Sequence, residues 1–324
     1  MGKQHLRLLR HSRADPPRRI AEDRLRRSIY NASLQQFEEL VIAARRVGPA
    51  SSPLLLFYAM SQASRAIVAT RGDHPEITSH GIREDRTVQS RDLLHRRFLP
   101  APRKDGTDAF GAVARAIGSP TIHGGFDVGA VWAALPGTYR VPPESWRREW
   151  RMALQADTDP AKSYAEGVWV TIASFGGNPL VGAVDALGSG RYPTIPSGTT
   201  VMLRGGHEVE PGGWIGDLLI PEEDGADVVL DRLAPRQYDR NCRPLMPALP
   251  GEVDVLPPFM LWWMLLFSLS IIARYHPDLW ARALAVDESR LAVPLEATLQ
   301  KARNVLPLLV YEAILVDGAQ AREA

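Results

Sequence analysis

Two arginines, each one helical turn after a serine, are the residues of this chain best suited to chemistry. Their spacing places Tyr58, Ser61 and Arg65 on one face of a helix, and Ser270 and Arg274 on one face of another. Two converging guanidinium groups would bind an anion such as a phosphate or a nucleotide. Alternatively, they bond helix-terminal carbonyls, carboxylates or serine hydroxyls and fix the helix ends, which is the interpretation we prefer.

The residues that follow Arg274 add an imidazole and two aromatic rings. His276 is of a residue type that serves as a general acid or base at neutral pH. Tyr275 or Trp280 would offer a stacking surface to a bound ligand. The sequence defines no catalytic residue, and the candidate polar cluster consists of seven positions: Ser61, Arg65, Ser270, Arg274, Tyr275, His276 and Trp280.

Other binding motifs are not found in the sequence. The histidines outside this cluster lack the short spacing of metal ligands, so we expect no metal. The glycine-rich segments match neither phosphate-loop pattern, so we expect no cofactor. Cys242 is the only cysteine, which excludes an internal disulfide and fits a reducing compartment. The N-terminal residues do not have the pattern of a secretory signal peptide, in which a continuous apolar stretch precedes a small-residue cleavage site. We therefore expect a cytoplasmic location.

Charge is balanced over the whole chain but not at its start. The 324 residues carry a formal charge of +1, so no global attraction to nucleic acid follows. Residues 1–27, however, hold nine lysines and arginines against three acidic residues. We expect a basic, solvated and flexible arm, and a contact of this arm with nucleic acid or an acidic surface is the alternative.

The run PFMLWWMLLFSLSIIA, residues 258–273, is the most apolar segment. At a rise of roughly 1.5 Å per residue it spans about 24 Å, less than the hydrocarbon core of about 30 Å. A buried core helix is therefore predicted, without membrane insertion.

The remaining pattern predicts an α+β fold. Residues 28–71 and 258–324 are helical in pattern, and together they would build the core. Residues 72–257 are rich in glycine and proline with short apolar segments, typical of a mixed, β-rich middle region. The predicted strands are 138–141, 168–173, 199–203 and 227–230. The further predicted helices are 109–117, 144–154, 279–285 and 292–315, the last bent or broken at Pro307.

Four segments resemble the YaaC-like bacterial proteins. They are SSPLLLFYAMSQASRAIVA (51–69), the dipeptide His80-Gly81, AFGAVARAIG (109–118) and FSLSIIARYHPDLW (267–280). The ending S-x-x-x-R-Y-x-P-x-x-W is the most specific element, and the similarity extends from about residue 29 to residue 314. The resemblance implies relatives but no reaction, since this family has no settled biochemical activity.

The helices also have a second, fainter similarity, to HEPN helical domains, in which a small residue and a proline precede an L-L-x-Y-Y-like run. Some HEPN proteins are RNases that use an arginine, four to six intervening residues and a histidine. At those positions Arg65 is followed by Thr70, Arg71 and Gly72. Arg274 is followed there by Leu279, Trp280 and Ala281, so the catalytic spacing fails at both arginines.

Two hypotheses of function follow. The first is a cytoplasmic YaaC-like protein that binds a protein or nucleic-acid partner through the basic arm and the middle region. The alternative is an HEPN-like nuclease or nucleotide-acting enzyme that uses Arg65, Arg274 and His276. Convergence of these three side chains in an open cleft would favour chemistry, whereas a buried and fully bonded arrangement would favour a scaffold.

Overall fold

The computed structural model describes residues 2–73, 75–88, 90–135, 154–157, 162–164, 167–174, 192–193, 199–202, 214–220 and 242–316. The chain forms two compact units. The first, here called the helical unit, comprises Met1–Val131 and Pro257–Ala324; the second is Trp132–Leu256. The predicted α+β class is confirmed, with helices dominating the described residues.

Four helices build the N-terminal part of the helical unit. They are α1 (Gly2–Ala14), α2 (Arg18–Ala21), α3 (Arg24–Ala44) and α4 (Ser52–Arg71). Asp23 begins α3, because its side chain accepts from the backbone amides of Leu25 at 2.8 Å and Arg26 at 3.1 Å. Pro53 stands in the first turn of α4, where its missing N–H has no intrahelical partner to lose.

The basic N-terminal segment is helical, which differs from the flexible arm expected for residues 1–27. Helix α1 buries Leu6 and Leu9, which are spaced three residues apart and lie on one face. The ring of His5 lies 5.3 Å from that of Tyr311, and Ser12 Oγ lies 2.7 Å from Tyr30 Oη. Two leucines at helical spacing are therefore sufficient to dock this segment despite its charge.

Helices at the other end of the chain complete the core. They are α7 (Pro258–Tyr275), α8 (Pro277–Leu284) and α9 (Ala292–Tyr311), with α5 (Ala109–Ala116) and α6 (Val128–Ala134) between the two sets. Helix α9 continues through Pro307 and ends in a π-helical turn, Glu312–Val316, so the helix is not broken at Pro307.

The two most apolar helices, α4 and α7, pack against each other. The ring of Phe57 on α4 lies 5.6 Å from that of Trp263 and 5.2 Å from that of Phe267, both on α7 and both in edge contacts. Every residue from Pro258 to Ser270 is buried. The predicted helical core built from both ends of the chain is thus confirmed.

Helix α7 is also the one described helix that is long and apolar enough to cross a membrane. Inside the protein, 78% of it is buried. Burial of this extent is typical of a core helix, because a helix that spans a membrane exposes apolar surface to lipid.

Three short strands complete the helical unit. Strands β1 (Ile82–Glu84), β2 (Arg97–Pro100) and β3 (Phe126–Asp127) pair in this order, both pairs antiparallel. The ring of Phe98 on β2 lies 5.9 Å from that of Phe267. This contact places the small sheet against α7.

The second unit is described only in part. Its strands are β4 (Leu154–Asp157), β5 (Lys162–Tyr164), β6 (Gly167–Ser174), β7 (Thr200–Met202), β8 (Trp214–Ile220) and β9 (Cys242–Leu245). They pair in the order β7-β8-β6-β4-β9, with β5 also on β6. The predicted strands 168–173 and 199–203 overlap β6 and β7, whereas 138–141, 227–230 and the predicted helix residues 144–153 lie outside the described residues.

A β-rich character for the entire region 72–257 is not supported. Residues 72–131 belong to the helical unit, where they form α5 and most of α6 beside three short strands. Burial of one face of α5 against α4 and α7 explains this, because the apolar periodicity of residues 109–117 is helical. The boundary of the second unit therefore lies some sixty residues later than the expected start of the middle region.

Candidate functional site

Arg274 stands in the last turn of α7 and is exposed. Its Nη1 donates to the hydroxyl of Tyr58 on α4 at 3.0 Å. Its guanidinium carbon lies 4.6 Å from the centre of the Tyr275 ring. In the part of the chain that the structure describes, Arg274 makes no other hydrogen bond and no ion pair, so four of its five N–H groups are available to a ligand.

Arg65 lies on α4, two helical turns after Tyr58 and one turn after Ser61. Both Ser61 and Arg65 are half-buried. Among the described residues, no carboxylate, carbonyl or hydroxyl bonds the guanidinium of Arg65. The helix therefore directs a partly desolvated, unpaired cation towards the same side as Tyr58.

His80 is close enough to these two arginines for both charges to act on its imidazole. Its ring is 5.1 Å from that of Phe57 and 5.9 Å from that of Phe267, while part of the residue remains exposed. Loss of water against these rings lowers the pKa of His80 below its usual value, and the charges of Arg274 and Arg65 lower it further. His80 is therefore a neutral donor and acceptor at physiological pH.

A tight loop holds His80 in place. Phe110 N donates to the His80 carbonyl at 3.2 Å. Gly81 has a φ of +79°, and a Cβ there would lie 2.3 Å from Asp108 Oδ1. The same carboxylate oxygen accepts from Gly111 N at 2.7 Å and begins α5. Only glycine fits at position 81, and α5 thereby fixes the loop that carries the imidazole.

We call Arg65, His80 and Arg274, with Tyr58 and Tyr275, the cationic face. The charges of both guanidinium groups act on the imidazole, and no carboxylate is among the described partners of these three side chains. Unpaired cations attract an anion, and at the half-buried Arg65 competing water is limited. The geometry thus suits an anion with several oxygens, such as a phosphate.

The structure places His276 in a different cluster. It caps the end of α7, and its Nε2 lies 3.2 Å from Glu84 Oε2 on β1. Arg96, immediately before β2, bonds both Glu84 and His276 Nε2, and its Nη1 donates to the Ser90 carbonyl at 3.2 Å. Nε2 accepts from Arg96 when it carries no proton and donates to Glu84 when it does. His276 therefore attaches the C-terminal end of α7 to the small sheet through Glu84 and Arg96.

Ser270 and Trp280 have structural contacts. Ser270 Oγ donates to the Phe267 carbonyl at 2.7 Å within α7 and is buried. Trp280 Nε1 donates to the Ala50 carbonyl at 3.0 Å, and only 3% of the residue is exposed. Neither side chain is offered to a ligand.

One protein-family model matches most of the chain. The model of the family described as YaaC-like Protein matches residues 4–146 and 230–314. The chain belongs to the YaaC-like protein family. Both matched segments contain residues of the cationic face: Tyr58, Arg65 and His80 in the first, Arg274 and Tyr275 in the second. No curated protein and no solved structure matches the chain.

The site of this YaaC-like protein contains an imidazole that the sequence pattern did not select. His80 appeared only within the His80-Gly81 dipeptide and as one of several scattered histidines. Its contacts with Phe57 and Phe267 join residues far apart in sequence, so helical spacing carries no signal for them. Glu84 and Arg96 were missed for the same reason.

A separate cleft of about 350 Å³ lies at the C-terminal end of α4. Its charged lining is mixed: Arg71, Lys104 and Arg115 face it together with Asp73 and Asp105. The pKa of Asp105 is lowered, first by its hydrogen bonds from Arg103 and then by those from Thr107. The cleft therefore differs from the cationic face, whose arginines have no carboxylate beside them in the described part of the chain.

A metal site is not found in the described residues of this YaaC-like chain, because no three His, Cys, Asp or Glu side chains are grouped as metal ligands.

Proposed function

We propose that this YaaC-like protein binds a phosphate-bearing anion on the cationic face and acts through that binding. One observation carries the proposal: the charges of Arg65 and Arg274, from opposite ends of the chain, both act on His80, and neither arginine has an anionic partner among the described residues. Like charges brought together by the fold repel, so an arrangement of this kind gains most from a bound anion.

Other arginines of the helical unit show what structural arginines do in this protein. Arg26 donates to the carbonyls of Ala69, Gly72 and Asp73 at 2.8 to 2.9 Å and closes the end of α4. Arg303 donates to Ser52 Oγ at 3.0 Å. Against these well-bonded side chains, the free donors of Arg65 and Arg274 favour a ligand over a purely structural role.

Pyrophosphate titration followed by calorimetry tests the proposal. Arg65→Gln and Arg274→Gln each remove one charge, and we expect each to weaken pyrophosphate binding by about tenfold or more, as for a charge-assisted contact. Arg7→Gln, a change of the same charge at an exposed position of α1, serves as control and should bind like the wild type. Absence of pyrophosphate binding, or equal affinities in all three variants, would refute the proposal.

A second candidate is phosphodiester cleavage with His80 as general base. The favouring observation is the packing of the His80 ring against Phe57 and Phe267. Burial there, followed by the charges of Arg274 and Arg65, lowers the pKa of His80 and favours the neutral imidazole that a general base requires. The 2′-hydroxyl of RNA would attack the adjacent phosphorus and pass its proton to His80, while the 5′ oxygen leaves with a proton from solvent. Cleavage of a single-stranded RNA by the wild type and not by His80→Asn would select this function over binding alone.

The contact surfaces expected from the sequence stay predictions. Helix α1 exposes Lys3 and Arg7, which would suit an acidic partner. The middle region stays a further candidate surface. Binding of an acidic partner that is lost when Lys3 and Arg7 are both changed to Gln would support the first of these.

A further inference from the structure

The aromatic side chains around Arg274 indicate which chemical group the ligand carries besides its phosphate. The Tyr58 hydroxyl holds the Arg274 guanidinium by one hydrogen bond, and the Tyr275 ring covers one side of it at 4.6 Å. Tyr58 is 41% exposed and Tyr275 is 63% exposed. An arginine fixed in this way presents a flat, polarisable surface next to the cations that would hold a phosphate.

The exposure of these rings is unusual within this protein. Across the described ranges, eight large apolar or aromatic side chains are exposed: Leu25, Ile42, Tyr58, Val88, Val253, Tyr275, Val286 and Val293. The only aromatic residues in this set are the two that contact Arg274. Exposed rings that meet at a cationic site are typical of a surface that stacks a planar ligand.

We propose that the anion bound on the cationic face is a free nucleotide, whose base stacks on Tyr275 while Arg65, His80 and Arg274 hold its phosphate. This inference rests on the proposed function and adds the chemical class of the ligand. Of the two exposed rings, Tyr58 holds Arg274 through its hydroxyl, which leaves Tyr275 as the stacking ring in the described part of the face. One stacking ring suits a single base better than a nucleic-acid strand.

Trp280, the other stacking residue considered from the sequence, does not contribute. It is buried, and its indole N–H is satisfied by the Ala50 carbonyl. Tyr275 is left as the platform at this end of α7.

The test compares ribose 5-phosphate with the four ribonucleoside monophosphates in calorimetric titrations of the full chain. We expect at least one nucleotide to bind about tenfold more tightly than ribose 5-phosphate, the increment of one stacked base. Tyr275→Ala should bring the ratio of the nucleotide affinity to the ribose 5-phosphate affinity to about one, whatever its effect on Arg274, and Tyr275→Phe should preserve that ratio. Because Tyr275 is exposed, an unchanged Tm is expected for both variants.

The outcomes separate this inference from the proposal on which it rests. If ribose 5-phosphate binds and loses affinity in Arg65→Gln, but no nucleotide binds better, the protein binds phosphate and the nucleotide inference is wrong. The same holds if a nucleotide binds better but Tyr275→Ala does not reduce the difference. A single-stranded oligonucleotide that binds more than a hundredfold tighter than every nucleotide would also overturn it. If no compound binds, both proposals fail.

Discussion

The guanidinium of Arg274 donates to the hydroxyl of Tyr58 at 3.0 Å across the interface of α4 and α7, joining residues 216 positions apart. The hydrogen bond orients an exposed cation that has no carboxylate partner within the described residues. It is therefore the contact through which the helical core controls the geometry of the cationic face.

Removing the Tyr58 hydroxyl should loosen Arg274. Tyr58→Phe keeps the ring but deletes the acceptor, so we expect pyrophosphate affinity to fall by about three- to tenfold and stability by less than about 1 kcal/mol, as for an exposed hydrogen bond. Calorimetry and urea unfolding measure the two effects. Tyr275→Phe, which removes a hydroxyl without a protein partner among the described residues, is the matched control. Equal behaviour of both variants would contradict the role assigned to Tyr58.

Anion binding should tighten as the pH falls. Burial and, after it, the charges of Arg274 and Arg65 lower the pKa of His80. A bound anion offsets those charges and raises that pKa, so binding takes up a proton. Sulfate is a suitable probe because it stays a dianion, and its affinity should increase between about pH 7.5 and about pH 5.5. His80→Asn should give a flatter profile. A wild-type profile as flat as that of the variant would count against His80 facing the anion.

The free energy of unfolding should show the opposite trend without ligand. The pKa of His80 is lower in the folded protein than its ordinary value, so the unfolded chain binds the proton more readily. The contribution of His80 to stability is complete above about pH 6.5 and decreases as the pH falls below it. Urea unfolding at several pH values, with His80→Asn as reference, measures this. A difference between the two proteins that is independent of pH would contradict the sign.

Glu84 should be critical for stability rather than for ligand binding. Glu84→Gln leaves the largely buried Arg96 without its carboxylate, and we expect a loss of about 3 kcal/mol in the free energy of unfolding. Glu38→Gln removes the carboxylate that pairs with Arg10, whose side chain is 59% exposed, and should cost less than about 1 kcal/mol. Equal losses in urea unfolding would show that the Glu84, Arg96 and His276 cluster contributes no more than a surface pair.

Gly81 should be intolerant of a side chain. In Gly81→Ala the new Cβ would lie 2.3 Å from Asp108 Oδ1, and the backbone would keep a positive φ. Because both effects act together, we expect the free energy of unfolding to fall by about 3 kcal/mol and anion binding to weaken. Gly118→Ala has a similar φ of +65° with no atom within 4 Å, and should cost only about 1 kcal/mol. Urea unfolding separates the steric effect from the backbone effect. Equal costs would show that the loop can shift.

Much of the helical unit was predictable from local patterns. The burial of α7 follows from a composition too apolar for any exposed helix, and α5 was predicted to within one residue at its end. The docking of α1 was not expected, because nine positive charges in residues 1–27 concealed the two leucines that bury one of its faces. The sequence pattern also did not predict that residues 72–131 belong to the helical unit. Frequent glycine and proline indicate where turns occur, but not which elements pack together.

The sequence by itself determined that two apolar helices from opposite ends of the chain form the core and that each carries an arginine one turn after a serine. The tertiary structure decided which imidazole joins those arginines: His80, held by the loop that α5 fixes, and not His276, which Glu84 and Arg96 retain at the sheet. Helical periodicity specifies which side chains share a face of one helix, whereas the partners across a packed interface depend on how the helices and loops fit together in space.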